Sequence, residues 1–173
     1  MEDFTNEVIN TKQLPRYEEV PLTPLHPKYL WVVLINSFII IAVLVVGFFL
    51  LLSFDKENIS PKFSMQLGSV VVVVSFFILF LSVLGFKKKA YAFRTHDVIF
   101  RSGIIATNTM VIPYNRVQHV ALHEGFVSRL FGLAKVEIFT AGGNASDLEI
   151  PGITKEEAEN IKQLLMGKIQ KQL

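Results

Sequence analysis

Arg116 and Gln118 form the most recognisable polar pair in the chain, two positions apart and therefore on one side of an extended strand. A guanidinium so placed can hold a carboxylate or a phosphate by two parallel hydrogen bonds. It can equally tie a neighbouring turn to a small sheet domain, whose corners carry backbone groups in need of polar partners, and the structural role is preferred. A second basic set, Lys87, Lys88, Lys89, Arg94 and Arg101, could meet the phosphates of anionic lipids, each lysine near such a surface being worth about 1 kcal/mol. A triple lysine directly after an apolar run also works simply as an orientation signal, the plainer reading of Lys87 to Lys89.

Other chemistries lack their residue sets. His119 and His123 share a strand face, but at strand rise they stand about 13 Å apart, too far to ligate one metal ion. The acids Glu124, Glu137, Asp147 and Glu149 are scattered, with no pattern that brings two of them to one bond. The chain has no cysteine, which excludes disulfides, thiolate metal sites and cysteine catalysis. Gly142-Gly143 does not open a helix with the spacing of a phosphate-binding loop, and neither a nucleophile elbow nor a dinucleotide fingerprint occurs. Basic residues outside the juxtamembrane cluster are few and not interleaved with aromatics, which argues against nucleic acid as a partner. The expectation is a non-enzymatic protein without cofactor or metal.

The elements that position these residues begin with two uncharged runs, Leu30 to Phe54 and Phe63 to Phe86. About 20 apolar residues cover the hydrocarbon core of a bilayer as a helix, so each run is long enough to span. The linker Asp55 to Lys62 is too short for a domain, and the two helices must return both chain ends to one side. Arg16, Lys28, Lys87 to Lys89 and Arg94 flank the outer ends of the pair, against Lys56 and Lys62 offset by Asp55 and Glu57 in the linker. By the positive-inside rule both termini are cytoplasmic. The polar segment before the first run, with five acids, does not fit a cleaved leader. Its Pro15, Pro21, Pro24 and Pro27 predict an extended tail over residues 1–28. On the second run Gly68, Ser75, Ser82 and Gly85 align as a stripe of small residues that lets another backbone approach, either the first helix through Asn36, Ser37 and Gly47 or a different protein. No ionisable group lies in either run of the hairpin 29–86, so a transport role lacks its usual chemistry.

From residue 87 to 173 the pattern turns to short β-rich stretches at Ala90 to Thr95, Val98 to Arg101, Thr109 to Ile112, Arg116 to His123, Ala134 to Thr140 and Leu148 to Ile150. His96-Asp97 and Gly142-Gly143-Asn144 read as turns. Phe126 to Gly132 reads as a short helical turn whose aromatics plug an open barrel end or join the core. Thr154-Lys155-Glu156-Glu157 is a capping box, and Ala158, Ile161, Leu165 and Ile169 give the helix that follows one apolar stripe.

The series Ile112-Pro113-Tyr114-Asn115-Arg116-Val117-Gln118, Gly125, Arg129 to Ala134, Thr140-Ala141-Gly142-Gly143 and Ile150-Pro151-Gly152, together with Leu25-His26-Pro27-Lys28, resembles the bacterial PH-like membrane proteins called YdbS-like. The resemblance runs from Leu25 to the C-terminus. It implies an α+β membrane protein of the bacterial inner membrane, with a transmembrane hairpin and a bent antiparallel β-barrel capped by the last helix. It also implies a longer relative with several such domains as a companion. Two functions are expected from anchor, charge and fold: first, a module that assembles with or regulates other membrane proteins or copies of itself; second, a module that senses anionic lipid. Inositol-lipid specificity is not expected, since Asp97 interrupts the basic residues Arg94, His96 and Arg101, and fold alone does not license that activity.

Overall fold

Uninterrupted apolar sequence makes two helices of the hairpin, α1 (Tyr29–Phe54) and α2 (Pro61–Lys87), in a computed structural model that describes residues 17–54, 60–141 and 147–170. At 1.5 Å per residue each is about 40 Å long, more than the hydrocarbon core requires. Ser60 caps α2, its Oγ accepting from the Phe63 amide at 3.3 Å, and Pro61 occupies a first-turn position where its missing N–H costs nothing. The apolar side chains of both helices face mostly outward, as lipid-facing helices require.

The small-residue stripe of α2 is largely spent inside the hairpin. Ser37 of α1 is buried, donates Oγ to the Val33 carbonyl at 2.8 Å and stands 2.8 Å from Ser82 Oγ. A Cβ on Gly68 would lie 3.4 Å from the Phe48 ring, and Ser75 is half-buried with its hydroxyl turned back to Val71. Gly85 leaves the stripe and faces Ile104 of the domain. Asn36 and Gly47, expected to oppose the stripe, are exposed on α1 instead.

The described residues form seven strands in two antiparallel sheets. The first has the order β1 (Thr23–Pro24), β2 (Ala90–Phe93), β3 (Asp97–Ser102), β4 (Asn108–Pro113); the second has β5 (Val117–His123), β6 (Leu133–Thr140), β7 (Leu148–Thr154). β1 precedes the hairpin and β2 follows it, with Thr23 opposite Tyr91 and Pro24 opposite Ala90. The membrane hairpin is therefore an insertion between two neighbouring strands of one sheet. Pro24 suits this edge, where no ladder donor is required of it. The expected strands are present, and the α+β class stands, but the sheets do not close into a barrel. The chain crosses from β4 to β5 through a 3₁₀ turn at Tyr114–Arg116, and Pro113 just before it has no N–H to extend a ladder.

Alternate residues of both sheets meet in the core: Val98, Phe100 and Ile112 from one, Val136, Ile138, Leu148, Ile150 and Ile153 from the other. Helix α4 (Lys155–Gln170) closes it with Ala158, Ile161 and Leu165. Thr154 Oγ1 accepts from the Glu157 amide at 3.3 Å, as the capping box requires, while the Glu157 carboxylate accepts from Tyr91 OH at 2.8 Å and ties α4 to β2. Burial and that carboxylate raise the Tyr91 phenol well above its ordinary pKa. Helix α3 (Phe126–Leu130) forms where a helical turn is expected; of the two aromatics there, Phe126 is 84% exposed and plugs nothing, while Phe131 just after the helix is half-buried. The Gly142-Gly143-Asn144 turn and the Ile169 side chain lie outside the described residues.

Leu25, only 3% exposed, joins this core from the N-terminal side of the hairpin. The His26 amide then donates to the Gly152 carbonyl at 2.9 Å. Gly152 has φ +67°, and Tyr29 fills the space where its Cβ would project, 2.5 Å from Cγ, so no other residue fits there without displacing α1. Tyr29 also approaches Phe86, ring centroids 6.3 Å apart, which joins the domain-side ends of α1 and α2. Leu25→Ala in the full chain should cost about 2–5 kcal/mol of domain stability, the usual cost of emptying a core leucine site. Thermal unfolding of the purified protein in detergent checks this, and an unchanged midpoint would show that the Leu25 contact is dispensable.

Candidate anion site at the membrane end of the domain

Strand direction decides which basic residues meet. β2 starts directly after α2 and runs away from the bilayer, the turn at Arg94 to His96 lies at the far end, and β3 returns. The loop from Gly103 to Thr107 thus comes back to the end of α2, where Ile104 lies 3.5 Å from the Cβ position of Gly85. Gly103 adopts φ +115° because the loop folds its backbone onto the Ala106 carbonyl, leaving no room for a side chain. Register places Arg101 opposite Ala90, two residues from Lys88.

A cavity of about 340 Å³ results, lined by Val20, Leu22, Lys87, Lys88, Ala90, Arg101, Gly103 and Thr107. Lys87 and Lys88 are exposed at its mouth, and Arg101 is half-buried. Arg101 Nε is fully buried and has no hydrogen-bond partner among the described residues. Leaving a buried donor of a charged group unmet costs roughly 1–3 kcal/mol or more. Glu18 and Glu19 precede Val20 in the chain but line no part of the cavity. Three cations around a hole with a threonine hydroxyl are suited to a phosphate or carboxylate.

The remaining basic candidates are elsewhere. Arg94 sits at the far turn and gives its guanidinium to Asp97, Nε to Oδ1 at 2.6 Å and Nη2 to Oδ2 at 2.5 Å, which raises its pKa further. Tyr114 OH donates to the Arg94 carbonyl at 2.6 Å, and its phenol is pushed up to about 12, chiefly by burial. Lys168 reaches the Thr95 carbonyl at 3.2 Å. This cluster closes the end of the domain remote from the membrane. Lys89 lies outside the cavity, its amide donating to Phe86 at the end of α2. Arg116 ends the 3₁₀ turn, exposed, beside a cleft of about 420 Å³ with Met110, Ile112, Thr140 and Asp147. Gln118 is the extra residue at a bulge between Val117 and His119, so the strand pairing expected to align it with Arg116 is broken there.

Several other polar residues are absorbed by neighbours. His119 stacks on Phe139 with ring centroids 4.1 Å apart. Lys135 pairs with Glu137 at 2.6 Å and Glu149 at 3.0 Å, and Lys155 pairs with Glu124 at 2.9 Å, which lowers the Glu124 pKa. Sequence reasoning missed Thr107 and the strap Val20 to Leu22, because their part in the cavity depends on the insertion of the hairpin between β1 and β2. The flag it could have used is Arg101 two residues before Gly103, a cation at the mouth of a tight turn.

Asp147 Oδ2 accepts from Thr140 N at 2.7 Å and Oγ1 at 2.6 Å, pinning the ends of β6 and β7, and these bonds hold its carboxyl below the usual range. A depressed folded-state pKa means that its stabilisation is present above the unfolded value near 4 and is lost as pH falls through the folded one. The Thr140 amide should therefore exchange faster with solvent as pH drops below about 4, after correction for intrinsic rates, whereas in Asp147→Ala its protection should be low and pH-independent. Hydrogen exchange read by mass spectrometry checks both.

A family model described as Bacterial PH domain matches residues 30–169. Transmembrane protein YdbS of Bacillus subtilis (strain 168) is 31% identical over 96 residues, 56% of this chain and 55% of that protein. Transmembrane protein YdbT of the same organism is 33% identical over 85 residues, 47% of this chain and 17% of that one. The matched region is thus about half the length of the first relative and a small part of the second. No solved structure matches the chain.

Proposed function

This chain belongs to the bacterial PH domain family and is a YdbS-like membrane protein, and we propose that it is a non-enzymatic module that binds an anionic lipid headgroup in the pocket of Lys87, Lys88 and Arg101. The observation that carries this reading is the convergence of Lys87, Lys88 and Arg101 on one cavity at the foot of α2 whose lining holds no acid. Lysines at a bilayer surface are common, but a half-buried arginine and a threonine hydroxyl in the same cavity add donors suited to a ligand with negative oxygens. By the positive-inside rule the domain and both termini lie on the cytoplasmic side of the bacterial cell membrane, where anionic lipids are concentrated. A permanent anchor makes recruitment unnecessary, so headgroup binding would report local lipid composition or fix the domain's posture.

The full chain, exchanged from mixed lipid into detergent, should retain phosphatidylglycerol in native mass spectrometry, and Arg101→Gln combined with Lys87→Gln and Lys88→Gln should lose it at least several-fold. Arg116→Gln should retain it. Equal retention by all three proteins, with unfolding midpoints unchanged, would remove the lipid reading.

Assembly with another membrane protein is the second reading, and the exposed Asn36 favours it. An amide at the lipid-facing side of an apolar span is best satisfied by a neighbouring helix, and Gly47, exposed three turns on, would allow close approach. The partner could be a second copy or a longer relative with several such domains. Crosslinking in membranes should give a higher-mass species that Asn36→Leu diminishes; an unchanged crosslinking pattern would count against this face.

A further inference from the structure

Four large apolar side chains of the domain are exposed beside the membrane hairpin. Ile104 and Ile105, 38% and 100% exposed, form the tip of the loop between β3 and β4, and the contact of Ile104 with Gly85 places that tip against α2. Phe126 and Leu130, 84% and 71% exposed, lie at i and i+4 on one side of α3, and α3 packs against α1. One apolar protrusion therefore stands beside each membrane helix, at the end where both helices enter the domain.

The surroundings of each protrusion are those of an interfacial anchor. Lys87, Lys88 and Arg101 lie behind the isoleucine loop, and the exposed Arg129 lies beside Phe126 and Leu130 within α3. Apolar tips with a basic rim are the pattern of segments that rest in the headgroup region with their apolar side among the acyl chains. Trp31, 60% exposed in the first turn of α1, adds an aromatic of the kind enriched at that depth. The loop is also pre-shaped: positive φ at Gly103 and its close return to Ala106 hold Ile104 and Ile105 out without local unfolding.

We propose that the domain is seated on the bilayer by these two apolar wedges, Ile104-Ile105 and Phe126-Leu130, which dip below the headgroups next to α2 and α1. The seat adds to the contacts that already fix the domain on the hairpin, and the cavity at Arg101 is held at phosphate depth. The wedges use side chains other than those of the anion pocket, so the seat stands even where the pocket binds nothing.

The chain lacks cysteine, so single-site labelling needs no background substitutions. Ile105→Cys, Phe126→Cys and, as the remote control, His96→Cys in the full chain are each labelled with a polarity-sensitive dye and reconstituted in vesicles of neutral lipid alone or of neutral and anionic lipid. Labels at 105 and 126 should be quenched several-fold more by spin-labelled lipid than the label at 96, and shielded from aqueous iodide, in both vesicle types. Iodide access equal to that at 96 overturns the proposal, as does shielding without lipid quenching, which would indicate protein contact. Quenching only with anionic lipid overturns it too, since the pocket would then be holding the domain down. Ile105→Trp in a Trp31→Phe chain, read with brominated lipid, excludes an effect of the dye: quenching supports the seat and its absence overturns it.

Discussion

The pairing of Pro24 with Ala90 across the membrane hairpin is the constraint on which the rest of the architecture depends. Neighbouring strands lie about 4.8 Å apart, whereas packed helices lie about 8–10 Å apart. The chain must widen from one spacing to the other within Leu25 to Lys28 on one side and Lys88 to Lys89 on the other. It does so with fixed contacts rather than slack: Leu25 in the core, His26 bound to Gly152, Tyr29 over the same glycine and against Phe86. Neither membrane helix can rotate without disturbing the sheet. The orientation of the domain relative to the bilayer is therefore a property of the fold, not of a linker, and it brings both the cavity and the exposed apolar residues to the membrane end.

That orientation separates basic residues that look alike in the sequence. Arg94 and Arg101 are seven positions apart and both flank β-rich stretches. One sits where the sheet turns away from the membrane, within reach of Asp97 three residues on, and its charge is consumed by a two-point ion pair that buttresses the turn. The other sits where β3 comes back, with no acid among the cavity-lining residues and one donor unpaired. Lys89 differs from Lys87 and Lys88 in the same way. Lys87 ends α2 and Lys88 caps it, whereas Lys89 has left the helix for the link into β2.

Much of the fold was legible because it rests on strong periodic signals. Two long apolar runs are each long enough to span a bilayer as a helix, and the strands and α4 follow from alternation, turn residues and the threonine cap. β1 escaped because two residues, one of them proline, carry no periodicity, and their strand character comes entirely from Ala90 and Tyr91 far along the chain. The barrel expected from the resemblance became two sheets because closure depends on hydrogen bonds at the β4–β5 corner, where Pro113 and the 3₁₀ turn interrupt the ladder. Arg116 and Gln118 failed to align for a related reason: a bulge adds one residue to β5, and the period of two that the pairing assumed does not survive it. The candidate site was half visible. Its cations were named with Arg94 among them, but only tertiary geometry could exclude that residue and expose the unpaired nitrogen of Arg101.

The division of labour within α2 bears on what the hairpin can still do. Ser82 and Gly68 are committed to α1, and Gly85 to the domain, so the stripe that first suggested an assembly surface is closed from within. What α1 leaves open includes the flank about 100° round from Ser37 and Phe48, where the exposed Asn36 and Gly47 interrupt an otherwise apolar surface. In lipid there is no hydrophobic drive to bring helices together, and small or polar residues supply the close packing and hydrogen bonds that do. Lateral association would therefore run through α1, leaving the cavity beside α2 open to lipid. The two readings of this protein use different faces of one hairpin, and a single copy can bind a headgroup and a partner helix at once.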